Sequence, residues 1–336
     1  MDGHPVVRGP TPRSGRRTRG SIASVLLAAT LLVGIDGSSA IAGSASLRRI
    51  VDTSAWHHPS PDPTGISRIG STNRFVVVDG EVDETAHWKA SNVWSMRQAL
   101  HPLGSWSSDR FTFEPTDIAM PSRRLAYLSD DDSDRIIAVG TGPDRAFGTS
   151  DDRATGLYTR SFSLDPEGVA VGAGKLFITN GDFQRVVRLL RGTDGVFGTE
   201  DDVVRGFSTK PLGLSDPEGI AFFEGDLFIV SRGEGVIVQT TRSGAFVDSY
   251  DISSSGIVRP SGIVVTAEDG ALTAWVTDRG SRNDGRIAND GRIYVFSLSG
   301  RIPDPRHEPP VAPRVRRLFD VIVARLLAVS RWIDLL

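Results

Sequence analysis

Along most of this chain, apolar and β-branched residues come in short runs, each closed by Gly, Pro, Asp or Asn, a pattern that predicts many short strands. The clearest stretch places strands at residues 219–223, 226–231, 236–241 and 245–252, and the stretch before it repeats the plan at 168–172, 175–179, 185–190 and 203–208. Each four-strand unit opens on a Pro-containing turn. These turns are Asp62-Pro63-Thr64-Gly65, Glu114-Pro115-Thr116-Asp117, Asp165-Pro166-Glu167-Gly168, Asp216-Pro217-Glu218-Gly219 and Arg259-Pro260-Ser261-Gly262, with starts 52, 51, 51 and 43 residues apart. That period suits an all-β propeller of four-stranded blades. Five blades are expected; a sixth would have to come from residues 88–113, where the pattern is poor. The fifth unit has no fourth strand of its own, so residues 47–55 are expected to supply it and close the ring, which removes open sheet edges.

The two ends of the chain read differently from the middle. Arg13, Arg16, Arg17 and Arg19 precede an apolar run at 22–35 and small residues through Ala42, the pattern of a cleaved export signal over 1–42. The propeller then spans 43–300, and an extracytoplasmic protein is expected. Arg16-Arg17 leaves the choice between the general and twin-arginine routes open. Residues 301–313 form a Pro-rich linker. Residues 314–336 lack Gly and Pro, and Arg316, Arg317, Asp320, Arg331 and Asp334 share one side of a helical projection. An amphipathic helix is expected there, docked on the propeller or in peripheral contact with a membrane surface.

Composition narrows the chemistry. Of 336 residues, 36 are Gly and 19 Pro, which suits strands joined by tight turns, and the absence of Cys rules out disulfides and thiolate metal sites. The formal net charge is −3, and the export segment holds five Arg against two Asp, so the remainder is more acidic still. That balance argues against a nucleic-acid partner.

Twisted up-and-down blades place the starts of their first strands and the ends of their second strands on one face. The residue after each turn proline (Thr64, Thr116, Glu167, Glu218, Ser261) is expected to aim an oxygen at the central axis. The strand ends add Asp79, Asp130, Asn180, Ser231 and Asp278. An oxygen-rich set without clustered imidazoles points to a hard cation, calcium above all. The expected metal ligands are Glu167, Glu218, Asp79, Asp130, Asn180 and Asp278; Asp165 and Asp216 are expected to cap their turns.

Arg232, Arg279, Arg282 and Arg286 fall in loops of the same face and are candidates to bind a small anionic ligand. A ligand or protein partner bound without turnover is the first expectation. The alternative is a metal-dependent hydrolase of phosphate or lactone esters, with His87 or Asp130 as base. On the opposite face, Gly142 to Asp152 and Gly192 to Asp202 repeat one acidic loop, expected to be a long hairpin with Phe147 and Phe197 tucked against the blade.

The units opening on Asp165-Pro166-Glu167-Gly168 and Asp216-Pro217-Glu218-Gly219 resemble the SdiA-regulated (YjiK-like) propellers. That resemblance, over roughly 47–300, implies an exported or membrane-tethered propeller in which calcium binding is expected. More distantly the chain is similar to the gluconolactonase and senescence-marker propellers, whose metal ligands include an acid just before Gly at this position, held here by Glu167 and Glu218. The β-propeller phytases are similar at the level of fold class alone.

Overall fold

The turn prolines mark the start of a blade at every one of the five expected places. The computed structural model describes residues 43–97, 101–268, 270–283, 286–300 and 302–303. The expected export segment, the carboxyl-terminal helix and nearly all of the Pro-rich linker lie outside them. Blade 1 consists of Pro63–Arg68, Arg74–Asp79, Val93–Arg97 and Pro102–Trp106, so the poorly patterned region at 88–113 supplies its outer half. Blade 2 is Asp117–Ser122, Leu125–Asp130, Arg135–Gly140 and Arg153–Tyr158, and blade 3 is Pro166–Gly172, Lys175–Asn180, Arg185–Leu190 and Val203–Ser208. Blade 4 is Pro217–Phe223, Asp226–Ser231, Val236–Thr241 and Phe246–Asp251.

Blade 5 closes the ring. Its inner strands are Pro260–Glu268, Ala271–Asp278 and Arg292–Ser299, and its outermost strand is Ser44–Asp52 from the other end of the propeller, paired antiparallel from Ser44 opposite Ser299 to Asp52 opposite Arg292. A two-strand hairpin, Arg282–Asn283 with Arg286–Ile287, extends the loop after its second strand. Among the described residues no helix is long and apolar enough to cross a membrane.

Alternation along the strands sends successive side chains into the gaps on either side of the blade, Phe75 and Val77 to one and Val76 and Val78 to the other, and five buried clusters fill the five gaps. Phe75 and Trp275, ring centres 4.9 Å apart, join blade 1 to blade 5; Phe177 and Phe222, 6.0 Å apart, join blade 3 to blade 4. Each such side chain contributes about 1.5–3 kcal/mol by leaving water. The rim is sealed by a second repeated contact. In blades 2, 3 and 4 the loop between the third and fourth strands packs on the blade before it. Phe147 thus stacks on Trp106 at 5.3 Å, and Phe197 meets Tyr127 edge-on at 6.0 Å. Gly244 lies against Phe207 in the same way, and in blade 5, where the chain is broken, Gly43 and Gly300 lie against Tyr250.

At the hub the first strands approach backbone to backbone. A Cβ on Gly65 would sit 2.5 Å from the Asp117 Cα, on Gly168 2.9 Å from the Gly219 Cα, on Gly219 2.8 Å from the Gly262 Cα, and on Gly262 2.6 Å from the Gly65 Cα. Four of the five hub positions are therefore Gly because no side chain fits. The fifth is Asp117, whose buried carboxylate accepts the N–H groups of Ile118 at 2.8 Å and Val169 at 3.0 Å and also that of Ile66. One side chain thus ties blades 1, 2 and 3.

Gly262→Ala is expected to lose about 1–3 kcal/mol through overpacking of the hub, read as a lowered unfolding midpoint. Gly104→Ala is the control: its Cβ would meet nothing closer than the Ser95 hydroxyl at 4.0 Å, so the midpoint should barely move.

Candidate functional site

Four of the five turn prolines face the end of the next strand, and the ladder then slips, whereas in blade 2 the slip comes later, between Ala119 and Ser122. Pro63 faces Asp79, Pro166 faces Asn180, Pro217 faces Ser231 and Pro260 faces Asp278, with a bulge directly after each. A bulge releases its residues from regular pairing and re-aims their side chains, here those of Thr64, Glu167, Glu218 and Ser261. Three of the five expected hub oxygens are hydroxyls, and they lock neighbouring blades together. Thr64 Oγ1 donates to the Pro115 carbonyl at 2.8 Å, Thr116 Oγ1 to that of Pro166 at 3.3 Å, and Ser261 Oγ to that of Thr64 at 2.6 Å.

Carboxylates cannot donate, so blades 3 and 4 are locked differently. Ser129 Oγ donates to the Glu167 carbonyl at 2.5 Å, and Thr179 Oγ1 to the Glu218 carbonyl. The two glutamate side chains are thereby left out of the lock. Glu167 joins Asp131 and Asp165 in a group that offers one oxygen each, all within 4.8 Å of one another. Calcium–oxygen distances of about 2.3–2.6 Å allow one ion to touch oxygens that far apart. Glu218 lies beside this group with its side chain only 1% exposed. Neither of its oxygens has an aligned hydrogen-bond donor, although Oε1 is 3.1 Å from Arg232 Nη1, so the ion pair there is one of proximity without a directed bond.

The electrostatics agree with the geometry. Burial, followed by the charge of Glu218 and then of Asp131, pushes the Glu167 carboxyl well above its ordinary range. Burial lifts Glu218 to about 7, against the pull of Arg232. Asp131 and Asp165 are also raised, first by burial and then by neighbouring aspartates. The acidic field continues outward to Glu114, raised to about 7 chiefly by its hydrogen bond to Asp132. Carboxyl groups held this close favour a cation or a shared proton.

The other expected ligands stand in a different setting. Asp79 accepts Ser60 Oγ and the Asp62 N–H, both at 2.8 Å, and the Glu81 N–H at 3.1 Å. Asp130 accepts Thr112 Oγ1 at 2.6 Å and the Ser133 N–H at 2.8 Å. Asn180 Oδ1 accepts the Phe183 N–H at 2.6 Å, and Asp278 accepts the N–H groups of Val258, Arg259 and Gly280. Each staples the loops around its own strand end. The ion-sized group uses Asp131, one residue beyond Asp130, because the strand's final alternation turns Asp130 into the loop. Asp165, expected to cap its turn, instead accepts the Asp182 N–H from the loop after the second strand of blade 3, at 2.9 Å.

His87, in the loop after the second strand of blade 1, is half-buried and not a member of the carboxylate group; its own N–H is held by Thr85 Oγ1 at 3.1 Å. Among the candidate arginines, Arg279 grips the buried Asp62 through Nε at 3.1 Å and Nη2 at 2.9 Å, and reaches Glu81 at 2.6 Å. Arg282 also pairs with Glu81, and Arg232 holds Asp216 at 2.8 Å. Arg286 lies in the small hairpin, and its side chain falls outside the description. Sequence reasoning missed Arg259, whose position directly before Pro260 in the fifth turn was the available signal. In the acidic loops of the opposite face, Asp151 accepts the Asp144 N–H and Thr149 Oγ1, while Asp201 accepts those of Thr193 and Thr199, so these acids fold their own hairpins.

No protein-family model matches the sequence, and no curated protein matches it. Solved structures do. A glutaminyl cyclase from Myxococcus xanthus superimposes with a TM-score of 0.50 at 11% identity, over 77% of this chain and 98% of that one. A calcium-binding protein, regucalcin, from Agrobacterium tumefaciens gives 0.46 at 12%, over 78% and 98%. The PQQ-bound aldose sugar dehydrogenase of Streptomyces coelicolor gives 0.44 at 15%, over 76% and 98%. The first of these likenesses supports the fold and does not extend to activity.

Two outcomes follow from this geometry. Asp79→Ala and Asn180→Ala should each lower the unfolding midpoint, by about 1–3 kcal/mol for the donors left unpaired, while calcium affinity measured by calorimetry stays within about twofold of wild type. Raised folded-state pKa values at Glu167 and Glu218 mean that the metal-free fold binds more protons than the unfolded chain. Its stability should therefore fall as pH rises from the ordinary glutamate range through about 7. Thermal unfolding between pH 5 and pH 8, roughly the window those shifts define, checks the sign, and added calcium should reverse the loss.

Proposed function

We propose that this chain is an extracytoplasmic calcium-binding propeller that binds a ligand or partner on the face carrying Asp131, Asp165, Glu167 and Glu218. The observation that carries the reading is Glu218: a buried carboxylate with two oxygens lacking a directed donor, beside three more carboxyl groups at ion-sharing separation. A calcium ion there would supply the positive charge that four crowded acids lack, with Asp131, Asp165 and Glu167 as ligands and Glu218 alongside. Resemblance to the SdiA-regulated propellers supports the same view, since it rests on the two turns that bring Glu167 and Glu218 to this face. Export rests on the pattern of residues 1–42, and peripheral membrane contact through 314–336 is part of the same proposal.

Binding is favoured over ester hydrolysis by the state of the candidate bases. Asp130 is committed to Thr112 and Ser133, and His87 stands apart from the carboxylate group. The hydrolase reading draws on the guanidinium groups beside the acids, which an anionic ester would need.

Calorimetric titration of the chelator-stripped protein with calcium tests the proposal. Wild type should bind saturably, and Glu167→Gln and Glu218→Gln should each weaken binding by at least about tenfold, the first through loss of a charged ligand and the second through loss of a negative charge beside the site. No binding by wild type would overturn it. A panel of phosphate esters and lactones run on the calcium-loaded protein should show no turnover; turnover abolished in both variants would replace the binding reading with the hydrolase.

A further inference from the structure

Beyond the hub, the axis opens into a pocket on the face opposite the carboxylate group. Its lining runs from Ile66, Val169 and Ile263, each directly after a hub glycine, out to Ser71, Gly174 and Glu224 near the turns between first and second strands, and its volume is about 510 Å³. The inner end is closed, because the first strands touch backbone to backbone there. Size and blind shape are those of a binding pocket. Large apolar side chains form part of the wall: Val171, Phe222 and Phe223 line it and are only half-buried. Two arginines also border it, but Arg68 holds the Ser71 carbonyl at 3.0 Å and Arg191 lies over the Phe197 ring at 4.4 Å.

The chain itself supplies an occupant. The third strand of blade 5 starts with Arg292 opposite Asp278 and ends at Ser299, so the chain leaves the propeller on the face where the pocket opens. Two strand spacings of about 4.8 Å separate that strand from the first strand of its blade, which borders the pocket, whereas residues 304–313 can span about 33 Å. In the helical projection expected for 314–336, Leu318, Ile322, Val329 and Ile333 fall opposite the polar side, and five Arg stand against two Asp. The hairpin loops of the same face are acidic, with Asp144 and Asp151 in blade 2 and Asp194, Glu200 and Asp201 in blade 3. Hydrogen bonds from the Thr149 and Thr199 hydroxyls hold the Asp151 and Asp201 carboxyls below their ordinary range, so both stay charged. We infer that the apolar side of residues 314–336 seats in this pocket of its own propeller, with its arginines turned to the acidic loops. The inference is independent of the calcium reading, which concerns the other face. A lipid surface would compete with the pocket for the same apolar side chains, so membrane contact requires the tail to leave it.

The chain has no cysteine, so introduced pairs report docking directly. In the full chain, Ser71→Cys at the exposed pocket mouth is combined in turn with Leu318→Cys, Ile322→Cys and Val329→Cys, and each protein is oxidised at high dilution. A disulfide forms only where the two Cα atoms come within about 7 Å, so at least one pair should cross-link within a single chain. Phe183→Cys, exposed on the carboxylate face, should give no cross-link with the same three partners. Val171→Arg, which puts a charge on the pocket wall, should lower the yield at least about fivefold. Absence of an intramolecular bond in all three pairs would overturn the inference, as would equal yields from Phe183→Cys. Bonds formed only between chains would overturn it in favour of a second copy's tail, and cosedimentation with phosphatidylglycerol vesicles without any cross-link in their absence would overturn it in favour of lipid.

Discussion

Closure of this propeller depends on how closely five first strands can approach one another at the axis. Between Gly168, Gly219, Gly262 and Gly65 the backbones are too near for any side chain, and at the fifth junction the Asp117 carboxylate bridges three blades through backbone N–H groups. A narrow hub brings the residue before each Gly to the rim of the axis, so whatever stands there meets its counterparts from other blades. The packing constraint and the candidate site therefore share one cause.

Chemistry at that rim is sorted by which side chains can donate. Thr64, Thr116 and Ser261 use their hydroxyls to hold the next blade, which consumes them structurally. Glu167 and Glu218 take no part in this lock with their side chains, and strand-borne Ser129 and Thr179 hold their carbonyls in their place. The two glutamates are thus free of mechanical duty and lie where Asp131 and Asp165 converge. Arg279 pins blade 5 to blade 1 through the buried Asp62, and Arg259 meets the same acid more distantly, at 3.8 Å. A buried guanidinium–carboxylate pair of this kind mainly fixes a unique arrangement.

Much of the architecture was legible in the order of residues. The spacing of the Pro-containing turns gave the number of blades, and the lack of a fourth strand in the last unit pointed to residues near 47–55, where Ser44–Asp52 closes the ring. Phe147 and Phe197 were expected against the blades, and each packs on an aromatic ring of the blade before it. The outer half of blade 1 was obscure because Pro102, Gly104 and several serines dilute the apolar alternation there. Within the candidate site, Glu167 was readable from its turn, whereas Asp131 was hidden beside Asp130: a one-residue step at a strand end reverses the side-chain direction, and sequence does not fix where the strand stops.

What the sequence determined by itself was the repeat, the bulge-forming turns and the supply of oxygen-bearing residues on one face, because these follow from local spacing and from the φ and side-chain restrictions of Pro and Gly. What only the tertiary structure decided was which of those polar groups are already occupied. Asp79, Asn180 and Asp278 are filled by backbone donors from their own loops, Arg279 by an acid from across the closing seam, and Glu218 and Arg259 retain unfilled atoms. Occupancy of a buried polar atom depends on partners that sequence places far apart, as Arg279 and Asp62 are, and the ring must close before those partners meet.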